Sequence, residues 1–168
     1  GFEQFYIEPA AGDNGLALGC AFFGWISYLK QERKIHDGNT CFGITYGSDS
    51  IEQALESFKE NLHYQEEENI YAATADLLLQ GKTVGWFQEG CEFGPRALGR
   101  RSILADPRNK DIQNHINSRI KFREDFRPFA PAVLEEDKDL YFQYGLSSPY
   151  MILVDQIKDE WKEIRQGI

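Results

Sequence analysis

The chain has 168 residues, 42% apolar and 14% aromatic, enough for a core of ordinary size, and its 27% of charged residues excludes a disordered tail. The net charge of −9 argues against a general nucleic-acid surface. No run of about 18 apolar residues occurs, and no basic stretch followed by an apolar one opens the chain, so neither a bilayer span nor a secretory signal is expected.

The chain starts at Gly1-Phe2-Glu3 without an initiator Met, and is read as a piece of a longer polypeptide. Residues 5–8 suggest a strand end, and Pro9 to Gly15 a turn-rich loop. From Leu16 to about Gln31 the pattern is helical, with Leu16, Cys20, Phe23 and Ser27 on one face. Gly19 and Gly24 inside it suggest close backbone packing. Residues 32–40 read as a polar linker, and Cys41 to Tyr46 as a short strand. Ile51, Leu55, Phe58 and Leu62 predict a second helix, with Asp49 or Ser50 as N-cap. A third helix is expected from about Glu66 to Gln80, with Ile70, Ala73, Leu77 and Leu78 inward and Gly81 ending it. Residues 83–87 then read as a strand, and helix–Gly–strand is an α/β signature. Residues 88–108 look irregular. Ile112, Ile116 and Ile120 predict a helix over 109–120. Strands are expected at 129–134 and 150–154, a short helix at 137–142, and a polar, interrupted end.

The three cysteines (Cys20, Cys41, Cys91) are odd in number and lack C-x-x-C spacing, so reduced thiols of a cytoplasmic protein are expected rather than a disulfide scaffold or a zinc site. His36, His63 and His115 are far apart among polar neighbours and read as exposed side chains. No Ser-His-Asp arrangement, Walker-type loop or G-x-G-x-x-G is present. Asp13, ahead of a helix, reads as a capping or turn residue on its local sequence.

Charge is unevenly spread. Between Arg96 and Arg127 nine basic and four acidic residues give +5, leaving −14 on the remainder. A basic patch on an acidic chain suits a small anion in a defined site better than a polyanion surface. The densest stretch is Glu92-Phe93-Gly94-Pro95-Arg96-Ala97-Leu98-Gly99-Arg100-Arg101-Ser102 and on to Arg108, where glycines and arginines can present backbone N–H groups and guanidinium forks together. The second is Lys121-Phe122-Arg123-Glu124-Asp125-Phe126-Arg127-Pro128-Phe129-Ala130-Pro131. On an extended segment Lys121 and Arg123 would share one face and Phe122 would pack on the other. For any single arginine an ion pair with a carboxylate is the simpler reading; the two clusters together point to anion binding.

These segments, with Ile116-Asn117 and Ile120-Lys121-Phe122-Arg123-Glu124, resemble the NodU/CmcH-type O-carbamoyltransferases, the group of nodulation-factor and antibiotic carbamoyltransferases. Pro9-Ala10-Ala11-Gly12-Asp13-Asn14-Gly15-Leu16-Ala17-Leu18-Gly19 resembles the last motif of that family's first domain. Arg100-Arg101 stands where the family more often has Asn-Arg, and Cys20 where a small Ala is usual.

The resemblance implies an α/β (α+β) fold in two parts. Residues 1–36 would be the C-terminal tail of an actin-like domain, and 37–168 a YrdC-like domain with a twisted mixed sheet. The family continues into an Asn-Thr-Ser-Phe-Asn-like motif that does not occur here, so that domain is expected to be incomplete. In such enzymes the YrdC-like domain binds ATP and carbamoyl phosphate and forms carbamoyl-adenylate. The actin-like domain then passes the carbamoyl group to a hydroxyl of a small-molecule or sugar acceptor. By this resemblance Lys121 and Arg123 match the catalytic Lys-x-Arg that contacts phosphates. Arg96, Arg100, Ser102 and Arg127 are candidates for the carbamoyl phosphate or nucleotide pocket. Asp13 matches a metal-ligating Asp, whose metal would be iron, with magnesium accompanying ATP. The expected partners are carbamoyl phosphate, ATP, a hydroxyl acceptor and the remainder of the same polypeptide, with no membrane and no nucleic acid. The alternative is a non-catalytic nucleotide- or RNA-binding YrdC-like module.

Overall fold

A computed structural model describes residues 6–35 and 37–162. The chain divides into two units, Gly1–Asn109 and Lys110–Ile168. Phe5, His36 and the end of the last segment fall outside the described residues.

The first unit begins with helix α1 (Asp13–Phe22), which widens into a π-helical segment over Phe23–Tyr28. Gly12 is the N-cap, and Asp13 sits in the first turn, where its charge complements the helix dipole instead of capping it. The helix starts tightly against the preceding loop. Ala10 is fully buried, and a Cβ on Gly15 would fall 2.0 Å from the Ala10 carbonyl oxygen. Gly19 and Gly24 differ from expectation, because a Cβ on either would meet nothing within 4 Å. Their close packing is therefore not found. Leu16, Phe22, Phe23, Trp25, Ile26, Tyr28 and Leu29 are all exposed.

Helix α2 (Ser48–Ser57) is capped by Gly47, two residues before Asp49 and three before Ser50, the expected caps, and ends at Phe58, short of Leu62. Helix α3 (Ile70–Leu79) starts later than Glu66, because the Asn69 side chain accepts from the Ala72 N–H at 3.0 Å and fixes the first turn there. Its buried residue is Thr74, while Ile70 and Leu77 stay exposed; Ala73 and Leu78 are half-buried. The expected stop at Gly81 is present in full. Gly81 has φ +75°, its N–H donates to the Leu78 carbonyl and that of Lys82 to Leu77, the paired bonds of a Schellman motif.

Strand β1 (Val84–Phe87) pairs antiparallel with β2 (Arg101–Leu104), in register Val84 with Leu104 through Phe87 with Arg101. Thus the stretch read as irregular contains a strand. The side chains that turn inward are Val84, Trp86, Ser102 and Leu104, each half-buried. α3 lies beside this pair, with Tyr71 and Trp86 ring centroids 6.1 Å apart. The segment expected to be a strand at 41–46 forms none. Its backbone bonds instead to the loop after β1, through Phe93 N–H to Thr40 O and Gly43 N–H to Cys91 O.

In the second unit α4 (Ile112–Ile116) runs into a π-helical turn, Asn117–Lys121. Ile116 is buried, Ile112 half-buried and Ile120 exposed. A short 3-10 turn (Glu135–Asp137) leads into α5 (Lys138–Tyr141), close to the expected 137–142. Residues 129–134 and 150–154 form no strand. Among the described residues of this unit, the bridge pairing is between Phe142 and Ile157. Trp161, in a final 3-10 turn (Asp159–Trp161), stacks near Tyr141 at 5.1 Å and donates to the Leu140 carbonyl.

The described residues therefore mix short helices with one two-stranded antiparallel sheet, an α/β content as expected. No helix among them is long and apolar enough to cross a membrane.

Candidate functional site

The first basic cluster is the loop between β1 and β2, and a buried acid organises it. The Glu92 carboxylate, 1% exposed, lies under the loop. Its Oε1 accepts from the backbone N–H groups of Leu98 (2.9 Å), Arg100 (2.6 Å) and Arg101 (3.2 Å). Its Oε2 accepts from Arg101 Nε at 2.8 Å, and Arg101 Nη2 donates to the Glu92 carbonyl at 2.6 Å. Burial pushes this carboxyl up, but Arg101 and the backbone donors outweigh it and hold it at about 2. The chain can reverse so sharply because Gly94 and Gly99 take φ of +134° and +99°. A Cβ on Gly94 would lie 3.5 Å from the Pro9 carbonyl, so this loop and the Pro9-Ala10 turn pack together.

Most arginines of this loop are already engaged. Arg100 pairs with Glu89, Arg101 with Glu92, and Arg108 with Asp106 through both carboxylate oxygens. Ser102 Oγ accepts from the Gly99 N–H at 3.1 Å and closes the turn. Arg96 is exposed and makes no ion pair or hydrogen bond among the described residues. The ion-pair reading, chosen above for single arginines, therefore holds for Arg100, Arg101 and Arg108.

The second cluster is built differently. Lys121 closes the π-helical turn, and Phe122 then adopts the left-handed region (φ 47°, ψ 52°). The segment is not extended, and Phe122 does not pack; it is 82% exposed. Lys121 is exposed, without an ion pair among the described residues. Arg123 is half-buried and turns back onto Asn117, donating from Nε to Asn117 Oδ1 at 2.7 Å and from its backbone N–H to the Asn117 carbonyl at 3.0 Å. Its guanidinium carbon lies 4.8 Å from the Phe129 ring centroid, a stacking and cation–π contact. Arg127 makes only a loose, exposed pair with Glu124 at 3.8 Å, of little energetic worth.

Two polar residues that the sequence motifs contain but to which the sequence alone assigns no role, Glu92 and Asn117, thus hold the two basic segments in shape. The signal available was their apolar or glycine-rich surroundings, in which a buried polar group must be fully hydrogen-bonded.

Asp13 is the one metal-ligating candidate that the resemblance assigns to this chain, and its expected His partners would lie upstream of it. Asp13 is exposed, and among the described residues no group of three or more His, Cys, Asp or Glu side chains could hold an ion. His63 and His115 are exposed, and all three cysteines are free thiols.

Comparison with known proteins identifies the family. The carbamoyltransferase C-terminus family matches residues 75–168. The chain is 41% identical over 165 residues to the uncharacterized protein sll1178 of Synechocystis sp., covering 95% of this chain and 27% of that protein. It is 35% identical over 162 residues to nodulation protein NolO of Bradyrhizobium diazoefficiens (94% of this chain, 30% of NolO). It is 28% identical over 159 residues to the 3'-hydroxymethylcephem-O-carbamoyltransferase of Streptomyces clavuligerus (95% and 29%). The chain therefore spans under a third of the length of each of these relatives. With the match covering more than half of its residues, the chain belongs to the NodU/CmcH-type carbamoyltransferase family.

Proposed function

We propose that this chain is the portion of an O-carbamoyltransferase that handles carbamoyl phosphate and ATP. In this reading residues 37–168 belong to a YrdC-like domain and 1–36 to the tail of an actin-like one. The remainder of the polypeptide covers exposed apolar faces such as that of α1. Carbamoyl phosphate is hydrolysed to carbamate and phosphate. A carbamate oxygen attacks the α-phosphorus of ATP, pyrophosphate leaves, and carbamoyl-adenylate carries the group to an acceptor hydroxyl. Magnesium enters with ATP as its counter-ion.

The observation that supports this best is the state of Arg123. It is fixed by a neutral amide and an aromatic face, so its positive charge is not spent on a carboxylate, and Lys121 beside it in sequence is equally uncommitted. Fixed cations of this kind stabilise charge moving onto a leaving pyrophosphate. Arg127 in the same unit, and Arg96, Arg100 and Ser102 in the first unit, are proposed as further anion-binding residues on the family resemblance.

The test is isotope exchange between pyrophosphate and ATP in the polypeptide carrying this chain. Exchange that requires carbamoyl phosphate and falls at least 100-fold in Arg123→Ala, on the order of what one charge-stabilising donor supplies, is expected. Exchange indifferent to carbamoyl phosphate would refute the carbamoyl-adenylate step.

A further inference from the structure

Asn117 is fully buried, and its side chain makes three hydrogen bonds. Nδ2 donates to the Asp125 carbonyl at 3.2 Å and the Arg127 carbonyl at 3.0 Å, and Oδ1 accepts from Arg123 Nε at 2.7 Å. One turn earlier on the same helix, Gln113 Nε2 donates to the same two carbonyls, at 3.0 and 3.3 Å. The two amides pin the 125–127 loop to the helix, and Asn117 alone also reaches the guanidinium. Its main-chain carbonyl takes the Arg123 N–H as well, so this residue fixes both ends of Arg123.

The contrast with Arg101 shows what such an arrangement leaves over. Arg101 is held by a carboxylate, which orients the guanidinium but neutralises it. Arg123 is oriented by a neutral oxygen at Nε and by the Phe129 face, and its two Nη groups have no partner among the described residues. A guanidinium held in this way keeps its full charge and presents a paired N–H edge of fixed direction, matched to two oxygens of a phosphate.

We propose that Asn117 is a positioning residue that, with Phe129, holds Arg123 as a rigid fork for an oxyanion of the phosphate class; the ligand rests on the function proposed above. An Asp at this position would keep the Nε acceptor but would lose both donors and cancel the charge. An Ala would release the guanidinium.

Two measurements decide it. The first needs no ligand. In NMR of protein labelled with nitrogen-15 at arginine, the Arg123 Nε–H signal should exchange slowly with water in the parent and be lost in Asn117→Ala. A signal unchanged in the variant would overturn the positioning role. The second is a double-mutant cycle on ATP affinity. Asn117→Ala should weaken ATP by about tenfold when Arg123 is present, and by less than about twofold in the Arg123→Ala background. Phe129→Leu, at a more exposed position, should repeat the pattern if Asn117→Ala does not fold. An equal loss in both backgrounds would mean that Asn117 acts through the fold alone and would overturn the proposal. A parent that fails to bind ATP would refute the ligand reading, while the NMR result would still decide whether Asn117 positions Arg123.

Discussion

Replacing Glu92 by Gln should cost roughly 3 kcal/mol of stability at neutral pH, the scale for breaking a buried pair while leaving its partner behind. The glutamine keeps one acceptor for the backbone N–H groups of Leu98, Arg100 and Arg101, but turns an NH2 toward the Arg101 Nε–H that now donates to Oε2. The effect should depend on pH in a defined direction. The folded protein holds this carboxyl at about 2, against an ordinary value of 4.5, so the unfolded chain binds the proton more tightly. The stabilisation is therefore complete well above 4.5 and is lost as the pH falls toward 2. Urea unfolding of parent and variant across this range should show a gap that is widest near neutrality and closes on the acid side. The comparison isolates Glu92, since the Asp106 carboxyl, also held low by Arg108, is common to both proteins. A gap that is constant with pH would contradict the arrangement.

Gly15→Ala and Gly19→Ala should move stability in opposite directions. Both glycines lie in α1, where Ala is ordinarily favoured by about 1 kcal/mol. At Gly19 nothing lies within 4 Å of the added methyl, so the ordinary gain should appear as a higher melting temperature. At Gly15 the methyl would meet the Ala10 carbonyl oxygen at 2.0 Å and its carbon at 3.1 Å, both backbone atoms of a fully buried residue. The helix start must move, at a net cost of roughly 2–3 kcal/mol. Because Ala10 also packs against Gly94, the disturbance should reach the Glu92 loop and appear as shifted amide resonances of Leu98 and Arg100. Equal effects of the two substitutions would show that α1 does not seat on Ala10.

Where local chemistry decides structure, it could be read from the sequence. The Gly81 stop, β1 and the three longer helices follow from periodicity and from a residue suited to φ above zero. What could not be read depended on partners. The stretch 41–46 has strand composition, but Cys41 and Phe42 donate back to the Asn39 side chain and the Thr40 carbonyl and Gly43 donates to the Cys91 carbonyl in the loop after β1, while 129–134 and 150–154 gain no neighbouring strand. β2 was hidden because Arg101-Ser102-Ile103-Leu104 sits directly after a glycine- and arginine-rich loop and is recognised by its pairing to β1. In the site, the Lys-x-Arg pair was visible as charge, but its geometry was not. The left-handed Phe122 turns the segment away from an extended course, and the residue that orients Arg123 lies six positions upstream. Sequence likewise could not separate committed cations from uncommitted ones. Arg100, Arg101 and Arg108 each find a carboxylate, and Arg96, Lys121 and Arg123 do not.

The most direct test of the central claim is calorimetric titration of the polypeptide carrying this chain with carbamoyl phosphate and then ATP, in parallel with a Lys121→Ala, Arg123→Ala variant. Neither cation pairs with a carboxylate among the described residues, so their removal leaves no carboxylate unpaired, although it takes the Arg123 donor from the buried Asn117 Oδ1; thermal unfolding of the variant alongside separates that loss from a loss of affinity. Binding by the parent, and affinity at least about tenfold weaker in the variant, is the predicted result. Equal affinity in the two proteins, or no binding by the parent, would contradict the assignment of the phosphate site to this segment.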